Sequence, residues 1–130
     1  LEHVNAQRAI GADCGGQMMA PTTPLTLNEA LSEAALLHSQ DMAINSYFDH
    51  QSQDGRSPWD RIAEVGYQGS PTGENIAAGN ASARATFEQW LTSPGHCTNM
   101  MSPNSREMGI GYASEPSSQY RHYWTQVFGR

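Results

Sequence analysis

Apolar side chains recur every three or four positions along several stretches of the chain, and this spacing predicts amphipathic helices. The longest predicted helix covers residues 27–46, and a capping box formed by Thr26 and Glu29 is expected to open it. His38 falls within the apolar stripe of this helix, which favours a buried structural histidine over a metal ligand. Shorter helices are predicted over residues 4–11, from Ser57 to Gly66, from Asn80 or Ser82 to Leu91, and from Ser93 onward.

The last third of the chain changes to alternating, β-rich stretches. Residues 108–115 and 120–128 predict two strands, and a third short strand is expected around residues 74–77. Both sides of the 120–128 stretch are largely apolar or aromatic, which is typical of a central strand covered on both faces. Residues 14–24 read as a loop. The pattern predicts an α+β fold, a three-layer α-β-α sandwich around a small, mainly antiparallel sheet, forming one domain over residues 1–130.

Composition narrows the choice of partners. The formal net charge is -6, which makes nucleic acid and anionic membrane surfaces poor partners. All seven basic residues are Arg, so lysine Schiff-base chemistry and a Walker-type phosphate loop are excluded. No apolar run approaches the roughly 20 residues of a membrane helix. Because the sequence begins at Leu1 with no signal-peptide pattern, we expect that a leader was removed or the sequence trimmed.

The two cysteines, Cys14 and Cys97, allow one disulfide or two free thiols. A bridge would join positions 83 apart and would stabilise the fold by about 4–5 kcal/mol on the loop-entropy model. His96 precedes Cys97, but adjacent helical residues point about 100° apart and do not form a catalytic pair. A helix N-terminus could still lower the pKa of Cys97 and make it reactive. The disulfide, which implies an oxidising compartment, is the favoured interpretation.

Three polar residues are candidates for a metal site. His96 is expected at the third position of a helix, where the dipole favours neutral imidazole, the form that binds metals. His50 and Glu74 could join it, since two histidines and one carboxylate with a water form an open zinc site. The chain contains no regularly spaced metal motif, so the residues alone do not favour this grouping over a structural role.

Four stretches together resemble one family. They are "HSQDMAINSYFDHQSQDG" (38–55), "GENIAAG" (73–79), "WLTSPGHCTNMMSPNSREMGIGYA" (90–113) and "YWTQVFG" (123–129). In order and spacing they are similar to the CAP superfamily of cysteine-rich secretory, antigen 5 and pathogenesis-related proteins, and most similar to its bacterial extracellular SCP-like branch. The resemblance implies the α-β-α sandwich and a secreted, extracellular or periplasmic protein.

The resemblance also implies a cleft that carries two histidines and two acidic residues in many members. His50, Glu74 and His96 match three of these positions. Ser93 stands where the second acid is expected, three residues after Trp90, so the cleft departs from the family pattern there. A serine at this point is expected to cap the helix in place of completing the site.

Several functions are compatible with the sequence. The favoured hypothesis is a secreted binding or interaction module, a monomer whose cleft holds zinc or another divalent metal, with catalysis left open as the less favoured interpretation. Its partner would be a small molecule, a lipid or another protein. The alternatives are a metal-assisted, peptidase-like hydrolase with Glu74 as base or ligand, a thiol enzyme using Cys97, and a lipid or sterol carrier. A carrier could line its groove with Met18–Met19 and Met100–Met101, although such pairs more often fill a core.

Overall fold

Five helices and six strands follow one another along the chain, and the computed structural model describes all residues from 1 to 130. The helices are α1 (Glu2–Ile10), α2 (Glu29–Asn45), α3 (Pro58–Glu64), α4 (Ala83–Leu91) and α5 (Pro94–Met101). The strands are β1 (Ala12–Cys14), β2 (Gln17–Met19), β3 (Thr26–Leu27), β4 (Pro71–Ala78), β5 (Glu107–Ser114) and β6 (His122–Gly129). No helix has the combination of length and apolarity that a membrane span requires.

The main sheet has four strands in the order β3-β5-β6-β4. β6 pairs antiparallel with both β5 and β4, and only the short β3 runs parallel to its neighbour β5. β6 is buried along almost its whole length, as expected for an interior strand covered on both faces. The predicted α+β sandwich around a small, mainly antiparallel sheet is therefore confirmed, and β4 forms one edge of that sheet.

Helix α2 covers one face of the sheet at very short range. A side chain at Gly109 would collide with the backbone of Leu31, and one at Gly111 with the backbone of Leu36. The two glycines lie two positions apart on β5, so they share the face turned to α2. Around this contact an apolar cluster forms from Leu31, Ala34, Ala35, Ile62 and Val127.

Helices α1, α4 and α5 cover the opposite face. Their main apolar cluster contains Val4, Leu25, Ala77, Trp90, Met100, Met108, Trp124 and Phe128. The indole nitrogen of Trp90 donates to the carbonyl of Ile76, which ties α4 to β4 at 3.0 Å. Arg8 is fully buried and donates to the carbonyls of Met100 and Ser102 at the end of α5. These polar contacts orient the helical layer, while burial of the apolar side chains stabilises it.

A disulfide between Cys14 and Cys97 ties α5 to the small β1–β2 hairpin, as the favoured interpretation predicted. The prediction of a loop over residues 14–24 was incomplete, because β1 and β2 pair in an antiparallel sheet. Gly15 and Gly16 both have positive φ, at 66° and 98°, and this geometry permits a two-residue hairpin turn. Both cysteines are buried, so the hairpin is fixed against the helical layer.

The start of α2 also differs from the sequence prediction. Asn28, not Thr26, is the N-cap, and its side chain accepts from the amide of Leu31 at 3.0 Å. Thr26 and Leu27 are instead paired with β5 as strand β3. At α3 the predicted cap is confirmed, since Ser57 and Asp60 form a reciprocal capping box.

Candidate functional site

The predicted cleft residues lie near the β4 edge of the sheet and come from three different elements. His50 lies in the connection between α2 and α3, Glu74 lies on β4, and His96 lies at the N-terminal end of α5. Since β4 is an edge strand, side chains from the α3 side and the α5 side can both reach this region. We refer to His50, Glu74 and His96 together as the edge cleft.

Glu74 is held by two cationic or potentially cationic side chains. Its Oε1 lies 2.9 Å from Nδ1 of His50, and its Oε2 accepts from Nη2 of Arg61 at 2.8 Å. The Glu74 and Arg61 side chains are only 3% and 5% exposed, so this ion pair is shielded from solvent. Arg61 also donates to the hydroxyl of Ser52 at 3.0 Å. Each carboxylate oxygen of Glu74 therefore already has a partner, and its charge is balanced by Arg61.

His50 uses Nδ1 to contact Glu74 and keeps the rest of its ring accessible. Because an ionised carboxylate only accepts, the proton of this hydrogen bond belongs to Nδ1. In the neutral imidazole, Nε2 then carries the free lone pair. The side chain is about half exposed, at 50%, so this nitrogen belongs to a ring that a ligand can reach.

His96 is more enclosed. Its Nδ1 is buried and has no hydrogen-bond partner. Burial lowers the pKa of His96, and the nearby His50 lowers it further. The backbone of His96 is held in place, since its carbonyl accepts from the side-chain amide (Nδ2) of Asn75 at 3.1 Å. The lowered pKa favours the neutral form of the His96 imidazole, and the backbone that carries the ring is held by Asn75.

Ser93 occupies the N-cap position of α5, with Pro94 at the first helical position as predicted. Its backbone is extended, and its carbonyl accepts from the amide of Cys97 at 2.8 Å. The serine side chain makes no capping hydrogen bond, which differs from the expected role. The residue at the position of the second acid is thus a half-buried hydroxyl with no assigned partner.

The edge cleft does not form a ready-made three-ligand metal centre. No group of three or more His, Cys, Asp and Glu side chains in the chain is arranged to hold a metal ion. Glu74 contacts His50 in the way that a carboxylate supports a metal-binding histidine, fixing its tautomer and orientation. The side chains of the edge cleft that would hold a metal ion are His50, which is backed by Glu74, and His96, whose Nδ1 has no hydrogen-bond partner.

Several residues that build this arrangement are not predicted from the sequence. Arg61 lies thirteen positions from Glu74, and nothing in the α3 pattern indicates that its side chain turns inward to pair with β4. Asn75 and Asn99 were also missed, although they form a chain of hydrogen bonds from Gln126 to α5. The only sequence signal for the ion pair between Arg61 and Glu74 is an arginine in the short helix that precedes the strand of Glu74.

Other candidate residues have structural positions. His38 is 1% exposed, as expected for a core histidine, and its Nε2 lies 2.8 Å from the carbonyl of Asp49. Cys97 is bonded to Cys14, so it is not free to act as a nucleophile. Met100 and Met101 are buried in apolar clusters, whereas Met18 is exposed on the hairpin. The methionine pairs thus do not form one continuous groove.

Comparison with protein families gives one clear match. Residues 1–128 match the family model described as CAP, the cysteine-rich secretory protein family. The match covers almost the whole chain, including the three cleft residues and both cysteines.

Individual relatives agree with this match. The uncharacterized protein YkwD of Bacillus subtilis is 39% identical over 105 residues, which cover 81% of this chain and 39% of YkwD. An extracellular protein containing an SCP domain from Bacillus anthracis has a TM-score of 0.74 and 30% identity, over 84% of this chain and 34% of that one. An outer surface protein of Borrelia burgdorferi has a TM-score of 0.72 at 20% identity, over 84% of this chain and 79% of that one, which shows the shared fold. The chain therefore spans well under half the length of both Bacillus proteins.

Proposed function

This chain belongs to the cysteine-rich secretory protein (CAP) family, and we propose that it is an extracellular binding module whose edge cleft binds a divalent metal ion through His50 and His96. The observation that carries the proposal is the hydrogen bond between His50 and Glu74. It places the ring proton on Nδ1 and leaves the lone pair of Nε2 free to coordinate a metal ion. A bound metal would supply a Lewis-acidic anchor for a ligand's oxygen or nitrogen atoms. The protein residues supply the imidazoles.

The state of each histidine supports metal binding. A metal takes the neutral form of imidazole, and burial keeps the pKa of His96 below its usual value. Nδ1 of His96 is buried without a hydrogen-bond partner, which is rare for a buried polar atom. A bound ligand would supply the missing partner. Glu74, held in turn by Arg61, keeps the His50 ring in one orientation. We propose zinc as the metal, since imidazole is among its preferred ligands.

Binding is favoured over hydrolysis by the environment of Glu74. A general base needs a carboxylate that can accept a proton from water. Both Glu74 oxygens already accept hydrogen bonds, and one of them is ion-paired with the buried guanidinium of Arg61. A carrier of lipids or sterols receives less support, because Met100 and Met101 are used in the core.

An extracellular location is supported by the chemistry of the cysteines. Both are consumed in one disulfide, and disulfides persist in oxidising compartments outside the cytosol. The Bacillus anthracis relative is described as extracellular, and the Borrelia burgdorferi neighbour as an outer surface protein. These descriptions belong to those proteins and add to the argument from the disulfide.

Zinc titration by calorimetry tests the proposal. The parent chain is expected to bind about one zinc ion, and the His50→Ala/His96→Ala variant to lose that binding. Glu74→Gln should weaken it by roughly 10- to 100-fold, as expected when a supporting carboxylate is removed. His3→Ala is the matched control, because His3 is exposed on α1, away from the cleft. Absence of zinc binding by the parent, or full binding by the double variant, would show that the metal proposal is wrong.

A further inference from the structure

A cavity lies between α2 and α3. It has a volume of about 410 Å³. Its α2 wall carries Glu33, Leu37 and Asp41, and its opposite wall carries Arg61 and Val65. We call it the α2–α3 pocket. Arg61 joins the two regions, since it lines this pocket and its guanidinium also holds Glu74 of the edge cleft. The α2–α3 pocket plays no part in the function proposed above.

The charges around the α2–α3 pocket are unequally paired. Arg61 is paired with Glu74, and Arg56, which also lines the pocket, is paired with Asp54 and Glu64. Both guanidiniums are therefore already balanced by carboxylates. Glu33 and Asp41 have no cationic partner in the chain. The Asp41 carboxylate accepts only from the neutral side chains of Asn45 and Tyr47. The pocket thus has an excess of negative charge that no protein group balances.

A buried histidine adds an unused acceptor. His38 lines the α2–α3 pocket, and its Nε2 must donate to the carbonyl of Asp49, because a carbonyl oxygen only accepts. Burial lowers the pKa of His38, which favours the neutral ring, with Nδ1 as its lone-pair nitrogen. This nitrogen is buried and has no partner. The carboxylates of Glu33 and Asp41 and the free nitrogen of His38 are all acceptors without a cationic partner, and a ligand that donates hydrogen bonds complements them.

An apolar strip runs between the two unpaired carboxylates. Glu33, Leu37 and Asp41 follow one another at intervals of four residues, so they lie along one face of α2. Leu37 is about half exposed, and Ala34 and Val65 add apolar surface to the same pocket. The order along the helix is carboxylate, apolar side chain, carboxylate. This order complements a cation that carries an aliphatic chain.

We propose that the α2–α3 pocket binds an aliphatic primary amine, with its ammonium group at Asp41 or Glu33 and its hydrocarbon chain along Leu37. An ammonium group supplies positive charge and hydrogen-bond donors only, as the unpaired carboxylates require. Such a group occurs in free diamines and in the side chain of lysine. The chain itself contains no lysine, so no side chain of its own can supply this group.

NMR and calorimetric titrations test the proposal with two amines and one neutral probe. The amines are 1,5-diaminopentane and Nα-acetyl-lysine N-methylamide, and the neutral probe is 1-pentanol. We expect an amine to bind, with shift changes concentrated at Ala34, Leu37 and Val65, and 1-pentanol to bind at least tenfold more weakly. Binding of the diamine alone would identify free diamines as the source, and binding of the lysine derivative alone would identify peptide side chains. If neither amine binds, or if 1-pentanol binds equally well, the proposal is wrong.

Variants locate the binding. Glu33→Gln and Asp41→Asn each remove one charge and are expected to weaken amine binding by about two- to fivefold, the range of single exposed ion pairs. The double variant should weaken it by about tenfold. Glu29→Gln is the matched control, because Glu29 lies on the same helix, is exposed and does not line the pocket. Leu37→Lys places a tethered ammonium group in the pocket and should compete with the probe. An equal loss in Glu29→Gln would show diffuse attraction to the acidic surface and would overturn the proposal.

Discussion

The α2 face of the sheet and its β4 edge are built from different interactions. On the α2 face, the backbones of α2 and β5 approach each other closely at Gly109 and Gly111, beside an apolar cluster and the buried Ser39, whose hydroxyl donates to the carbonyl of Gly111. At the β4 edge, the interactions are polar and directional, since Glu74 joins His50 to Arg61. The first region gains its stability from close packing, whereas the second holds charges in fixed positions at some cost in desolvation.

The two regions are nevertheless connected through strand register. Glu74 on β4 is the direct partner of Val127 on β6, and Val127 belongs to the apolar cluster beneath α2. Paired residues on adjacent strands project from the same face of the sheet, so the packed cluster sets the position of the Glu74 side chain. The apolar layer beneath α2 therefore places a small number of charged groups at the β4 edge of the sheet.

The strongest way to break this arrangement is Gly111→Ala. The added methyl group would collide with the backbone of Leu36, which cannot move without displacing α2. We expect a loss of more than about 4 kcal/mol in the free energy of unfolding, in the range reserved for a few severe mechanisms. Urea denaturation followed by circular dichroism measures this loss.

Ser114→Ala serves as the control for Gly111→Ala. Ser114 lies on the same strand but is exposed, so its replacement should change stability by less than about 0.5 kcal/mol. If Gly111→Ala were equally mild, α2 could shift away from the sheet, and the close backbone contact would not define this face.

The next largest effect is expected at the polar edge, from Arg61→Met. Methionine approximates the length of the aliphatic part of arginine but leaves the buried carboxylate of Glu74 with only His50 as a partner. Breaking a buried ion pair from one side typically costs 3–5 kcal/mol, and the remaining contact with His50 places the expected loss at about 3 kcal/mol. Urea denaturation at neutral pH provides the measurement.

Arg56→Met is the matched control for Arg61→Met. Arg56 also makes ion pairs, with Asp54 and Glu64, but these side chains are substantially exposed. Exposed pairs contribute about 0–1 kcal/mol, so the control should lose little stability. Equal losses in the two variants would mean that burial does not distinguish the edge cleft from the surface, and the comparison between regions would need revision.

The sequence predicted the apolar layer better than the polar edge, for a physical reason. Periodic burial leaves a local pattern, so α2, α3, α4, α5 and the interior strand β6 were all identified. The short strand β3 was assigned to the start of α2, because Leu27 matches the helical spacing. Its pairing with β5 depends on residues about eighty positions away. A contact of that range leaves no local signal.

The cleft residues were identified mainly through the family resemblance, and the contacts around them were not. The motif containing Glu74 gives no indication that Arg61 pairs with it across the layers. Ser93 was expected to cap α5 with its side chain, yet only its backbone makes the helical hydrogen bond. Side-chain pairing of this kind depends on how α3 and α5 meet β4, and this geometry exists only in the folded chain.

The smallest change in stability is expected at a glycine whose surroundings are the opposite of those of Gly111. Gly95 lies at the second position of α5, beside His96, and an added methyl group would meet no other atom within 4 Å. Replacing a helical glycine by alanine removes freedom from the unfolded chain, so Gly95→Ala should stabilise the fold by about 0.4–1 kcal/mol. A small rise in the urea midpoint with an unchanged slope would be the expected result. A loss of stability would instead mean that α5 packs at Gly95 as closely as α2 does at Gly111, and the two glycines would not differ in their surroundings.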